Sequence, residues 1–78
     1  MTLDDAIAAC RPTEKMGYRG ACLIFPDYSY VVYQSKDGEQ IHSKHFPGVV
    51  GAVVPGPRAI ESVPEEALQR TDWEPLWK

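Results

Sequence analysis

The sequence is short of most features that would name a chemistry outright. Its 78 residues contain only two cysteines, Cys10 and Cys22, too few for the disulfide framework that staples many small secreted domains. Two readings of that pair stay open: two reduced thiols, or one bridge from the N-terminal segment to the next element. Long apolar runs are missing as well. The longest, Val49-Val50-Gly51-Ala52-Val53-Val54, falls far short of the ~20 residues a membrane-crossing helix needs. The opening Met1-Thr2-Leu3-Asp4-Asp5 is acidic where a secretory signal would be basic, so the expected compartment is the cytoplasm. Excess positive charge is absent too. A formal net charge of −3 argues against a protein that grips duplex nucleic acid without regard to sequence, because counterion displacement needs a basic face. A small anionic ligand is not excluded, since a pocket needs only a few local donors.

Catalytic and metal-binding constellations are equally thin. His42 and His45 are three residues apart; on a strand that spacing sends them to opposite faces, and no cysteine or carboxylate stands at ligand spacing beside them. They read as exposed strand histidines. Nucleophilic catalysis needs a serine or cysteine beside a base. Cys10 falls on the apolar stripe of a helix, and Ser29, Ser35, Ser43 and Ser62 have no elbow motif around them. The carboxylate pairs Asp4/Asp5 and Glu65/Glu66 lie in first helical turns, where the helix dipole alone accounts for them. Neither Gly17-Tyr18-Arg19-Gly20 nor Gly48-Val49-Val50-Gly51 has the spacing of a phosphate-binding loop. The residues therefore give no catalytic group, no metal ligand and no cofactor, and point to a protein that works by binding.

What is present is a small α+β pattern in a single domain spanning residues 1–78: a small antiparallel sheet with a short N-terminal helix and a short helix before the last strand. Thr2 with Asp5 marks a helix start, and Leu3, Ala6, Ile7 and Cys10 form one apolar stripe that Arg11-Pro12 ends. Ala21 to Phe25 reads as a strand covered on both faces. Tyr28 to Gln34 and Glu39 to Phe46 read as strands joined by the turn Ser35-Lys36-Asp37-Gly38. Val49 to Val54 reads as another strand, followed by a stiff loop, Pro55-Gly56-Pro57. Ser62 is placed as the cap of a helix from Val63 to Arg70, and Thr71 to Trp77 as a last strand limited by Pro75. A core this small is marginal alone, and small domains often compensate with disulfides, a metal or self-association.

The aromatic residues are the one positive signal. Tyr18, Tyr28, Tyr30, Tyr33, Trp73 and Trp77 are many rings for so short a chain, and Arg11, Lys15 and Arg19 lie close to Tyr18 in sequence. Aromatic faces stack on bases and arginines hold phosphates. From residue types alone the better reading is that these rings fill a thin core and an interface between copies.

Both ends of the chain carry a resemblance. Leu3-x-x-Ala6-Ile7, a break, and Gly17-Tyr18-x-Gly20 before an apolar strand resemble the start of the Thoeris anti-defence protein 2 family of small phage proteins. Glu65-Glu66-Ala67-Leu68-Gln69-Arg70-Thr71-Asp72-Trp73-Glu74 resembles its C-terminal signature, a short helix followed by Asp-Trp-Glu. Residues 26–61 do not align. Tyr18 stands where the family usually has tryptophan, and the usual Pro-Trp pair before the last helix is absent, with Ile60 near that place. The resemblance implies capture of a nucleotide-derived immune signal without cleavage. The implied ligands are a cyclic ADP-ribose isomer or a cyclic dinucleotide. The implied assembly is a homo-oligomer, typically a tetramer, with pockets between subunits. By position, Tyr18 would stack on a base, while Asp72 and Trp73 would line the pocket, with Asp72 accepting from a ribose hydroxyl or a base amine. Arg19, charged and next to Tyr18, is added as a phosphate contact. Two other classes remain open: a small inhibitor that binds a host protein directly, and a nucleotide-cleaving enzyme.

Overall fold

The structure is a computed structural model and describes residues 1–46 and 57–77. Its elements are α1 (Leu3–Ala9), β1 (Arg19–Ile24), β2 (Ser29–Gln34), β3 (Gln40–His45), β4 (Pro57–Ile60), α2 (Glu65–Leu68) and β5 (Glu74–Pro75). The strands form one antiparallel sheet in the order β4-β3-β2-β1-β5. This is the expected α+β arrangement, with a short helix at the start and another before the last strand.

Helix α1 forms for the reasons its sequence gives. The Thr2 hydroxyl accepts the Asp5 backbone N–H at 3.2 Å, Asp4 and Asp5 sit in the positive first turn, and Leu3, Ala6 and Ile7 are buried. That stripe lies on the sheet face made by Ala21 and Leu23 of β1 and Tyr30 and Val32 of β2; Val63, Ala67 and Trp73 complete the same core. The opposite face is mixed: Val31 and Ser43 are buried, while Ile24 is 67% exposed and Ile41 52%. On that face strand β1 is buried at Gly20 and open to solvent at Ile24. Its continuous apolar run hides an alternation in which Ala21 and Leu23 point inward, and an antiparallel sheet can leave one side to solvent.

Four further expectations are corrected. Helix α2 covers only Glu65–Leu68, with Pro64 at its cap position; Ser62 does not cap it, because its hydroxyl donates to the Val63 carbonyl at 3.0 Å. The last strand shrinks to Glu74–Pro75, since Pro75 can offer no N–H to a ladder and Trp73 turns into the core. Pro57 belongs to no loop but opens β4, an edge strand paired with β3 from His45↔Pro57 to His42↔Ile60; an edge is where a sheet tolerates proline. The histidines of β3 are partly buried, not exposed. The strand expected at Val49–Val54 lies outside the described residues. Both cysteines are free thiols, Cys10 buried and Cys22 half-buried. Among the described residues no helix is long and apolar enough to cross a membrane.

Candidate functional site

Helix α1 ends at Cys10, and the chain then makes a compact loop before β1. Thr13 holds that loop together. Its N–H donates to the Tyr18 carbonyl at 2.9 Å, its carbonyl accepts from Gly17 at 2.9 Å, and its hydroxyl accepts the Tyr18 N–H at 3.0 Å. Gly17 lies at φ +67°, where a side chain would be strained. The loop thus presents Tyr18 in one fixed position. Against it lies the C-terminal segment: the Trp77 indole N–H donates to the Arg11 carbonyl, and the Leu76 N–H donates to the Gly20 carbonyl at 2.9 Å.

Between these two walls is an open cleft of about 610 Å3, lined by Arg11, Pro12, Thr13, Glu14, Lys15, Met16, Tyr18 and Trp77. Its walls are mainly apolar, with two aromatic side chains, two cations and one carboxylate at the border. A volume of this size suits a drug-sized or nucleotide-sized guest. Arg11 also borders a neighbouring cleft of about 710 Å3 that Met1, Ala9, Trp73, Glu74 and Pro75 line.

The residues expected at the site are only partly brought together. Tyr18 is half-buried and lines the first cleft. Arg19 is exposed on β1 opposite Gln34 and does not line that cleft. Trp73 borders the second cleft without exposing its ring. Its side chain is 1% exposed, packed in the core, and its indole N–H donates to the Ala67 carbonyl at 2.9 Å. The Ala67 carbonyl also accepts the Arg70 backbone N–H at 3.2 Å, so the indole joins an existing bond at the end of α2 and gives Trp73 a structural reason of its own. In a single chain the Trp73 ring has no free face on which a base could stack. Asp72 is exposed, and both its oxygens are taken by Arg70, from Nε at 2.9 Å and from Nη2 at 2.7 Å. The guanidinium beside it holds its carboxyl below the usual carboxylate range.

Most other rings are already in use. Phe25, Tyr28 and Tyr30 form a cluster with centroids 4.9–6.0 Å apart. The Lys44 ammonium stands 4.2 Å over Tyr28, and the Arg70 guanidinium 5.0 Å over Phe25. Cations thus stand over two rings of this cluster, whose half-buried Phe25 and Tyr28 also border two smaller clefts of about 400 and 340 Å3. Burial, with the neighbouring Tyr28 hydroxyl, pushes the Tyr30 phenol up.

A serine–histidine pair on β3 deserves a chemical reading. His45 Nε2 lies 3.1 Å from Ser43 Oγ, and the Val31 carbonyl lies 3.3 Å from the same oxygen, so two acceptors share its one proton. Ser43 is buried at 5% exposure, which leaves its oxygen little open approach for a substrate. Among the described residues, no three of His, Cys, Asp and Glu stand together as a metal site would require.

Sequence reasoning placed Trp77 in the aromatic set and Arg11 and Lys15 near Tyr18, yet did not join them in one site. The missing signal was the pairing of β5 with β1, which carries the C-terminal segment back to the loop. Comparison with protein-family models, with curated proteins and with solved structures gave no match for this chain.

Proposed function

We propose that this protein captures a nucleotide-derived ligand in the cleft between the Arg11–Tyr18 loop and Trp77 and releases it unchanged. One observation carries the reading: two aromatic side chains, Tyr18 and Trp77, border the same cleft as two cations, Arg11 and Lys15. A flat ring and an oxyanion are what that combination recognises. Arg11 and Lys15 take the phosphate role in place of Arg19. Tyr18 keeps the stacking role, and Trp77 joins it in place of Trp73.

The reading agrees with the activity implied by the resemblance to the Thoeris anti-defence protein 2 family: sequestration of a cyclic ADP-ribose isomer or a cyclic dinucleotide in the host cytoplasm. On one chain the cleft is open, whereas tight capture needs a guest mostly enclosed. Closure by further copies, in a homo-oligomer such as a tetramer, is therefore part of the proposal.

The test is capture and recovery. The protein is incubated with cyclic ADP-ribose, its isomers and cyclic dinucleotides, desalted, and heated to release what it holds. Intact ligand in the released fraction supports sequestration. An altered product points to a nucleotide-cleaving enzyme, and no uptake of any candidate points to direct inhibition of a host protein. Native mass measurement adds a second check, since a strict monomer at working concentration counts against a shared pocket.

A further inference from the structure

We propose that Gly20 is the positioning residue of the cleft, setting the gap between its two walls by having no side chain. Its backbone holds both walls. The Gly20 N–H donates to Cys10 Sγ at 3.2 Å, and Cys10 directly precedes Arg11, where the first wall begins. The Gly20 carbonyl accepts the Leu76 N–H at 2.9 Å, and Leu76 directly precedes Trp77, the second wall. In a strand, the N–H and C=O of one residue point to the same side, so both bonds leave β1 along the edge that β5 occupies, one to the end of α1 and one to the C-terminal segment.

The glycine is needed for space. A Cβ built at position 20 would stand 2.9 Å from Leu76 Cδ2, 3.3 Å from Leu76 Cβ and 3.4 Å from Tyr33 Cδ1. The Leu76 methyl could swing aside, but Leu76 Cβ is fixed to the backbone that carries Trp77. A methyl group at position 20 therefore requires the Leu76 backbone to give by a few tenths of an ångström, which should loosen the Trp77 bond to the Arg11 carbonyl and widen the cleft. Glycine inside a strand costs stability and often marks such a close approach.

The role in ligand capture rests on the binding reading above; the positioning itself does not. The test uses both in the full chain. The two tryptophan indole N–H groups give separate signals in a nitrogen-labelled NMR spectrum, one bonded to Ala67 and one to Arg11. Gly20→Ala should shift the Trp77 signal and speed its exchange with solvent while leaving the Trp73 signal in place. Adding Leu76→Gly removes the Leu76 Cβ as well as its methyls, makes room for the new methyl and should return the Trp77 signal toward its original position. In parallel, uptake of cyclic ADP-ribose should weaken about tenfold in Gly20→Ala and recover in the double variant, a change equal to about 1.4 kcal/mol. An unmoved Trp77 signal in Gly20→Ala overturns the proposal. So does a double variant that fails to fold, because Gly20 would then serve the whole fold. If Gly20→Ala alone does not fold, a folded double variant with the original Trp77 signal still supports it. If the unaltered protein takes up no cyclic ADP-ribose, only the capture role is lost, and the indole signals decide the positioning.

Discussion

The Nδ1 of His42 on β3 accepts the backbone N–H of Val63 at 2.9 Å, joining the sheet to the segment that leads into α2. Only a neutral Nδ1 can accept. Its Nε2 then carries the hydrogen and faces Gln40 Oε1 at 3.3 Å. Burial holds this imidazole below its ordinary range.

A pH dependence follows from that relationship. A group whose pKa is lower in the folded state binds protons less readily there than in the unfolded chain. Its stabilising contribution is complete above the unfolded value of about 6.5 and is lost as pH falls through the folded value. Urea unfolding measured between about pH 8 and about pH 5 should show stability falling on the acid side. His42→Gln should flatten that slope and lower stability near neutral pH by about 1 kcal/mol, the worth of one hydrogen bond. An equal acid slope in the variant would remove His42 as the cause.

Trp73 should behave as a core residue. Trp73→Ala is expected to cost about 3–5 kcal/mol, which can unfold a chain of this size. Trp73→Phe keeps most of the buried area and loses the bond to Ala67, at about 1–2 kcal/mol. The informative measurement is therefore ligand capture by folded Trp73→Phe, which should match the unaltered protein within about twofold.

The cleft residues should behave in the opposite way. Trp77→Ala and Arg11→Ala should each weaken capture about tenfold or more, since stacking is worth about 1–3 kcal/mol per base. Arg11 is exposed and Trp77 half-buried outside the hydrophobic core, so circular dichroism should show both variants folded. Arg19→Ala should leave capture as it is. Calorimetric titration of the three variants decides between the two arginines.

The Arg70–Asp72 pair should matter little to either property. Both groups are solvent-exposed, and such pairs are screened by salt. Asp72→Asn should move the urea midpoint slightly in low salt and not at all in high salt, with capture unaltered. Loss of capture in a folded Asp72→Asn protein would return Asp72 to the site.

Much of the fold could be read directly. The stripe Leu3, Ala6, Ile7 and the alternation of Tyr30 and Val32 appear as buried surface, and the turn at Ser35–Gly38 closes the hairpin. These are local patterns with one period each. What escaped was set by long-range geometry. Strand β4 starts with a proline that, in isolation, signals a loop, and only an edge position makes it acceptable. Trp73 gave the same sequence signal as Trp77, yet one ring packs into the core and the other reaches the surface beside Arg11. Nothing local separates them; the difference is which one the β1–β5 pairing turns inward. Likewise, the charge of Arg19 is legible, but its place on β1 outside the cleft lining is not.

Thr13 holds the loop with three bonds before any guest arrives. Entry then requires little reshaping, so the loss of freedom on association is small. The rate of encounter would be governed by diffusion and orientation, and the lifetime of the complex by how firmly the rings hold their guest.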